Sequence, residues 1–161
     1  MDHDTIPMPE WVQSFRAAAE EFARGSLRFD PRTAVDADES ARPGAYIAIL
    51  SDHNSVHLGL TASPAGLQAL ARGLLGLRAD EPLAERDVTD GVCELMNIVA
   101  GKVKSHLSGR DGQLRLGLPM HLTSPITAGP GMECASTEVR LGPVPCRLSV
   151  YRRAREARKA A

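Results

Sequence analysis

One stretch constrains this chain more than any other, the run from Asp87 to Leu107. Within it Val88, Val92, Leu95, Met96, Val99, Val103 and Leu107 recur at the i, i+3, i+4, i+7 spacing of an amphipathic helix. At about 100° per residue they form one stripe roughly 120° wide, which has to be buried. Asp90, Glu94, Asn97 and Gly101 fall within roughly 60° of one another on the opposite side. The fold must give this helix a core on one flank and leave the other to solvent.

The polar side is chemically odd. Asn is a poor mid-helix residue because its amide competes for backbone groups. Gly101 costs about 1 kcal/mol relative to Ala in a helix interior. Asp90 and Glu94 are like charges at i, i+4. Glu94 has no cation three or four residues away, where Gly91, Asn97, Asp90 and Ile98 stand. Two readings are open. The face is a docking surface, with a carboxylate and an amide beside a residue that has no side chain. Or it is a solvated face whose acids lie near a helix N-terminus, where the macrodipole favours them.

The run Asp90-x-x-x-Glu94-x-x-Asn97, followed by Ile98-Val99-Ala100-Gly101 and later by Pro119, resembles the signature of the CheC/CheX family of chemotaxis phosphatases. That signature is an Asp or Ser, a Glu four on, an Asn three further, and a Pro some way downstream. Pro119 falls one residue short of the usual spacing. Element order is similar to the family's from about Ala45 to Tyr151, and the residues before Ala45 match loosely.

The resemblance implies an α+β fold, an antiparallel sheet flanked by long helices. It implies a phosphatase acting on the phospho-aspartate of a CheY-like response-regulator receiver domain. It gives Asn97 the alignment of the attacking water and Glu94 an ion pair with the receiver's active-site lysine. Asp90 and Gly101 then belong to the partner-facing surface, Gly101 letting the partner approach closely. The Mg²⁺ ion is supplied by the receiver, so no cofactor is expected on this chain. The first expected helix, Pro9–Arg24, has no Glu-x-x-Asn, so the motif occurs once. One copy is similar to CheX, which is homodimeric, rather than to CheC, which typically carries two.

The residues themselves narrow the chemistry. No G-x-G-x-x-G, Walker A, G-x-S-x-G or H-E-x-x-H occurs. Gly101-Lys102 is followed by Val103, not Ser or Thr, so it is no P-loop. Cys93 and His106 lie thirteen residues apart on one helix, beyond hydrogen-bond reach at a rise of about 1.5 Å per residue. Cys93, at the border of the stripe, reads as partly packed rather than reactive. Glu94 and Asn97 remain as the pair with chemical content. An amide is neither nucleophile nor acid–base at neutral pH, but it donates and accepts at once and so orients a water. Phosphoryl hydrolysis rests largely on such positioning. The carboxylate can serve as a base or as a charge that docks a cation.

Length and composition set outer bounds. At 161 residues the chain is expected to be one domain, with a core of about 9–151 and a basic, frayed tail at 152–161. Such a length buries roughly 70% of the unfolded surface without disulfide or metal. Cys93, Cys134 and Cys146 are odd in number and form no C-x-x-C, which fits reduced thiols and no zinc site. His53 and His57 lack partners at recognisable ligand spacing, so no metal is expected. A net charge of −1 argues against a dedicated nucleic-acid binder. The acidic start Met1-Asp2-His3-Asp4-Thr5 precedes no apolar run, so neither signal peptide nor membrane association is expected and the chain reads as cytoplasmic.

The other elements follow from periodicity and breakers. Pro9–Arg24 is expected as a helix with Trp11, Val12, Phe15, Ala18, Ala19 and Phe22 inward and Gly25 at C′. Ser26–Gly44 is a loop with an acidic patch at Asp36-Ala37-Asp38-Glu39. Ala45–Leu50 and Ser55–Leu60 form a strand pair. Ser63 caps and Pro64 opens a second helix, its stripe Leu67, Leu70, Ala71, Leu74 and Leu75, ending near Gly76. Gln113–Leu118 is a half-buried strand and Pro119–Gly131 a loop. Glu133–Leu141 and Cys146–Tyr151 pair around Gly142-Pro143. Hairpin strands with three helices mean α+β with an antiparallel sheet. The resulting reading is a cytosolic response-regulator phosphatase. Its rivals are a non-catalytic receiver- or partner-binding signalling module on the same fold and a structural protein related to flagellar-switch proteins.

Overall fold

A computed structural model describes residues 5–36 and 42–155. Along the chain run α1 (Met8–Ser26), β1 (Gly44–Leu50), β2 (Ser55–Thr61), α2 (Pro64–Leu75), α3 (Glu85–His106), β3 (Arg115–Leu116), β4 (Met120–Leu122), β5 (Met132–Leu141) and β6 (Val144–Arg153). The strands form one antiparallel sheet in the order β3-β1-β2-β6-β5, with β4 also pairing β1. This is the α+β architecture the sequence implies.

Strand alternation decides where the core lies. Ala45, Ile47 and Ile49 of β1, Val56, Leu58 and Leu60 of β2, and Cys146, Leu148 and Val150 of β6 share one face. The stripes of all three helices join them in a single apolar cluster. The helices therefore cover one side of the sheet. On the other side Tyr46 lies over Gly59, where any Cβ would overlap its ring. There the 123–131 segment crosses the sheet. Ile126 N–H donates to Tyr46 Oη at 3.1 Å, and Tyr151 Oη donates to the Ile126 carbonyl at 3.0 Å.

Several elements are as their local chemistry dictates. Ser63 Oγ accepts from Gly66 N–H at 3.0 Å at the start of α2. Gly76 ends the helix at φ 67°, in the left-handed region glycine favours. Val144 pairs with Leu141 across Gly142-Pro143, with Gly142 at φ 59°.

Other expectations are corrected. Gly25 is not a C′ residue: α1 runs on to Ser26, and the extended Leu27, buried in the core, ends it. Leu75 is 53% exposed. Leu67, Leu70 and Ala71 are buried as expected and Leu74 packs against the core, but the buried face also takes in Gly66, Ala69 and Gly73, with Val144 close to Gly66 and Phe29 close to Gly73. The expected strand over Gln113–Leu118 is reduced to β3, and β4 arises inside the expected loop. Both pair with β1, but the register slips by one, so Ile47 and Ala48 face residues 117–119. Pro119 has no N–H to offer a ladder, and an edge bulge absorbs it. Gln113 N–H is spent on Asp111 Oδ1. The tail does not begin at Arg152: β6 continues to Arg153, and Arg152 bonds Glu133 Oε2 at 2.7 Å and the Ile6 carbonyl at 3.0 Å. The rest of that expected tail, from 156 on, and Ala37, Asp38 and Glu39 of the acidic patch lie outside the described residues. Among the described residues, no helix is long and apolar enough to cross a membrane.

Candidate functional site

The site is built on α3, and α3 is fixed on several sides before any functional residue is considered. Val88, Val92, Leu95, Met96, Val99, Ala100 and Val103 are buried, as the helical spacing requires. Gly91 faces α2, where a Cβ would lie 3.2 Å from that of Ala71, so the two helices meet closely. Toward α1, Lys102 Nζ lies 3.2 Å from Glu21 Oε1 and His106 Nε2 lies 3.6 Å from Glu21 Oε2. The hydrogen bond from Lys102 holds the Glu21 carboxyl below its ordinary pKa. Glu85 and Asp87 in the first turn and Lys104 and His106 in the last complement the helix dipole.

What remains is the outward face. Asp90, Glu94 and Asn97 are exposed and Gly101 is half-buried. The structure thus brings the four sequence-derived residues together on one rigid helical surface. Among the described residues, no hydrogen bond or ion pair engages the side chain of Glu94 or Asn97. A Cβ added at Gly101 would meet nothing within 4 Å, so the space above it is open. Asp90 has a neighbour outside the sequence-derived set. Arg86 Nε lies 3.8 Å from Asp90 Oδ2 with both side chains largely exposed, a pair worth little to stability. Its i, i+4 spacing is visible in the sequence.

Chemically, the face presents a free carboxylate and a free amide one turn apart, with backbone accessible a turn beyond. Side chains three apart on a helix are neighbours at a distance the helix itself fixes. The arrangement can receive a cation at Glu94 and hold a water at Asn97 without rearranging its own bonds. Cys93, beside it, is half-buried, and burial first, then the Asp90 charge, raises its thiol pKa. It is a packed thiol rather than a nucleophile. Among the described residues, no group of three or more His, Cys, Asp or Glu is placed to hold a metal ion.

Comparison with known proteins is consistent with this geometry. The family described as chemotaxis phosphatase CheX matches residues 44–133, a span that contains all of α3. No curated protein matches the chain. Among solved structures, the chemotaxis protein CheX from Vibrio vulnificus superposes with a TM-score of 0.66 at 15% identity, covering 92% of this chain and 100% of that one. CheX from Desulfovibrio desulfuricans gives 0.66 at 16% identity, over 88% and 97%. The CheX–CheY–BeF3–Mg²⁺ complex from Borrelia burgdorferi gives 0.58 at 15% identity, over 87% and 96%. At these identities the structures establish a common fold, and the family match extends over more than half of the sequence. This chain belongs to the chemotaxis phosphatase CheX family.

Proposed function

We propose that the chain hydrolyses the phospho-aspartate of a CheY-like receiver domain, acting in the cytoplasm as a homodimer of single-domain protomers. Asn97 donates to and accepts from the attacking water, aligning it on the phosphorus. Glu94 receives the receiver's active-site lysine as an ion pair, which seats the receiver over Asn97. The Mg²⁺ that neutralises the phosphoryl oxygens belongs to the receiver. Asp90 and the open space above Gly101 extend the docking surface along α3. The observation that carries this reading is the unengaged state of Glu94 and Asn97, side by side on the outward face of a helix whose other face is buried in the core. A CheX–CheY complex among the structural relatives supports a receiver as the partner.

The test is single-turnover decay of a phosphorylated receiver with the protein in excess. Wild-type protein accelerates phosphate loss, and Asn97→Ala does not. Undiminished decay with Asn97→Ala would overturn the catalytic reading and leave a receiver-binding module on the same fold.

A further inference from the structure

The outward face of α3 does not end at Gly101. Lys104 follows Asn97 two turns along the same side, about 10 Å further on. It borders a hollow of about 500 Å³ between the end of α3, the turn after β1 and the start of β3. Arg115, on β3, lines the same hollow. We infer that Lys104 and Arg115 form a second contact for the receiver and take an acidic patch on its surface. The inference rests on the proposed docking of a receiver over Asn97.

Both cations are exposed, and among the described residues no hydrogen bond or ion pair engages either side chain. That sets them apart from the neighbouring Lys102 and Arg110, which are held by Glu21 and Glu10. The hollow does not neutralise them. Among the described residues its one carboxylate is the exposed Asp52. Asp111 stands next to the hollow in sequence, but its carboxylate accepts from Ser51 Oγ and Asn54 Nδ2. Two like charges at one hollow repel each other, and an incoming anion relieves both. The helix dipole alone accounts for a cation at Lys104, in the last turn of α3. It does not account for Arg115, which stands on a strand.

Size and charge select the occupant. A standard protein interface covers about 800 Å² of each partner, a patch roughly 30 Å across. Centred on Asn97, such a patch reaches about 15 Å along α3 in each direction and so covers Lys104. The surface beneath the receiver is then polarised, with Glu94 before Asn97 and Lys104 and Arg115 beyond it. A partner that brings a cation to Glu94 leaves two cations unanswered at the other end unless it also brings carboxylates there. Opposite charges at the two ends also fix which way round the receiver sits.

The probe is a CheY-like receiver whose phosphate loss the wild-type protein accelerates, activated with beryllofluoride and Mg²⁺. Its association with the full chain is followed by stopped flow from low to high salt. Lys104→Glu and Arg115→Glu should each slow association on the order of tenfold at low salt, as reversal of a rim charge does. At about 1 M salt, where the screening length is roughly 3 Å, both should come within about twofold of wild type. In dephosphorylation the half-saturating receiver concentration should rise, while the rate at saturation, set by Asn97, changes less. Carbodiimide treatment of the complex should join the Lys104 amine to a receiver Asp or Glu as an amide, found by peptide mass spectrometry. Lys104→Gln takes the place of Lys104→Glu if the charge reversal does not fold. Wild-type association in both folded variants, or no receiver carboxylate coupled to Lys104, overturns the inference. The phosphatase reading survives that result if Asn97→Ala still abolishes decay. A wild-type protein that accelerates decay of no CheY-like receiver overturns both.

Discussion

Glu94 and Asn97 stand one turn apart on the outward side of α3, and no other described residue engages either side chain. Asn97 is the more telling of the two, because it sits mid-helix, where asparagine is unfavourable by roughly 0.6 kcal/mol relative to alanine. A residue kept only for stability would not be an asparagine here. Asn97→Ala should therefore raise thermal stability slightly while receiver dephosphorylation falls on the order of a hundredfold or more through loss of water positioning. Glu94→Ala should lower affinity and rate together, since it deletes a docking charge rather than the water ligand. Melting curves set beside single-turnover decay separate these outcomes. Stability and activity falling together in Asn97→Ala would identify a structural residue instead.

The neighbouring positions 94 and 95 point about 100° apart on the same helix, one into the core and one to solvent. Leu95 is 1% exposed in the centre of the core and Glu94 is exposed. Leu95→Ala should cost about 2–5 kcal/mol through lost burial and a residual cavity. Glu94→Ala should stay within about 1 kcal/mol of wild type. Urea unfolding of the two variants checks this, and equal midpoint shifts would contradict the packing of α3.

The same periodicity explains how much of the molecule is legible in its sequence. The stripe from Val88 to Leu107 is readable because burial against α1, α2 and β1 imposes a regular spacing. The site follows, since its residues ride on that helix and need no distant segment. Positions that depend on tertiary partners are not legible. Leu75 looks like a stripe residue until Phe29 and Val144 claim the glycine side of α2. β4 begins just after a proline, and it is a strand only because β1 offers Gly44–Tyr46 as a ladder.

Asp30 gives the fold a definable acid limb. Its carboxylate accepts from Arg32 Nη2 at 2.9 Å, from the Ala79 N–H at 2.9 Å and from the Arg32 N–H at 2.9 Å. Chiefly the Arg32 side chain, then these backbone donors, hold its pKa far below the ordinary aspartate value. The folded state therefore binds this proton less readily than the unfolded chain. The stabilisation is complete above the unfolded pKa of about 3.9 and is lost as the pH falls toward the depressed folded value. Asp30→Asn should lower stability at neutral pH and flatten its decline below about pH 4. Thermal melts from neutral to strongly acidic pH test this, and parallel pH profiles for the two proteins would rule it out.

Assembly follows from the sheet edges. β5 closes one edge with ten residues, and the short, bulged pair β3 and β4 closes the other. Exposed edges are usually covered or paired, and β5 is the longer and more regular of the two. Sedimentation should give about twice the 17.3 kDa chain mass at micromolar concentration. A single species at the chain mass would contradict the homodimer.

Gly101 separates a used surface from an accidental one. A Cβ there meets nothing, and the residue lies one turn beyond Asn97 on the same face. Ordinary helix energetics favours replacing it, because alanine gains about 1 kcal/mol over glycine in a helix interior. Gly101→Ala should therefore be more stable than wild type and nearly as active, since a methyl fills little of the gap. Gly101→Trp should also fold, having open space to occupy, but its ring would take the volume a docked receiver needs. Half-maximal decay should then require on the order of tenfold more receiver, equivalent to about 1.4 kcal/mol of binding. Because Asn97 is untouched, the rate at saturating receiver should change less than the half-saturation point. Titration of phosphorylated receiver against both variants measures the two effects separately. Wild-type half-saturation in a folded Gly101→Trp would show that the receiver does not approach along this part of α3.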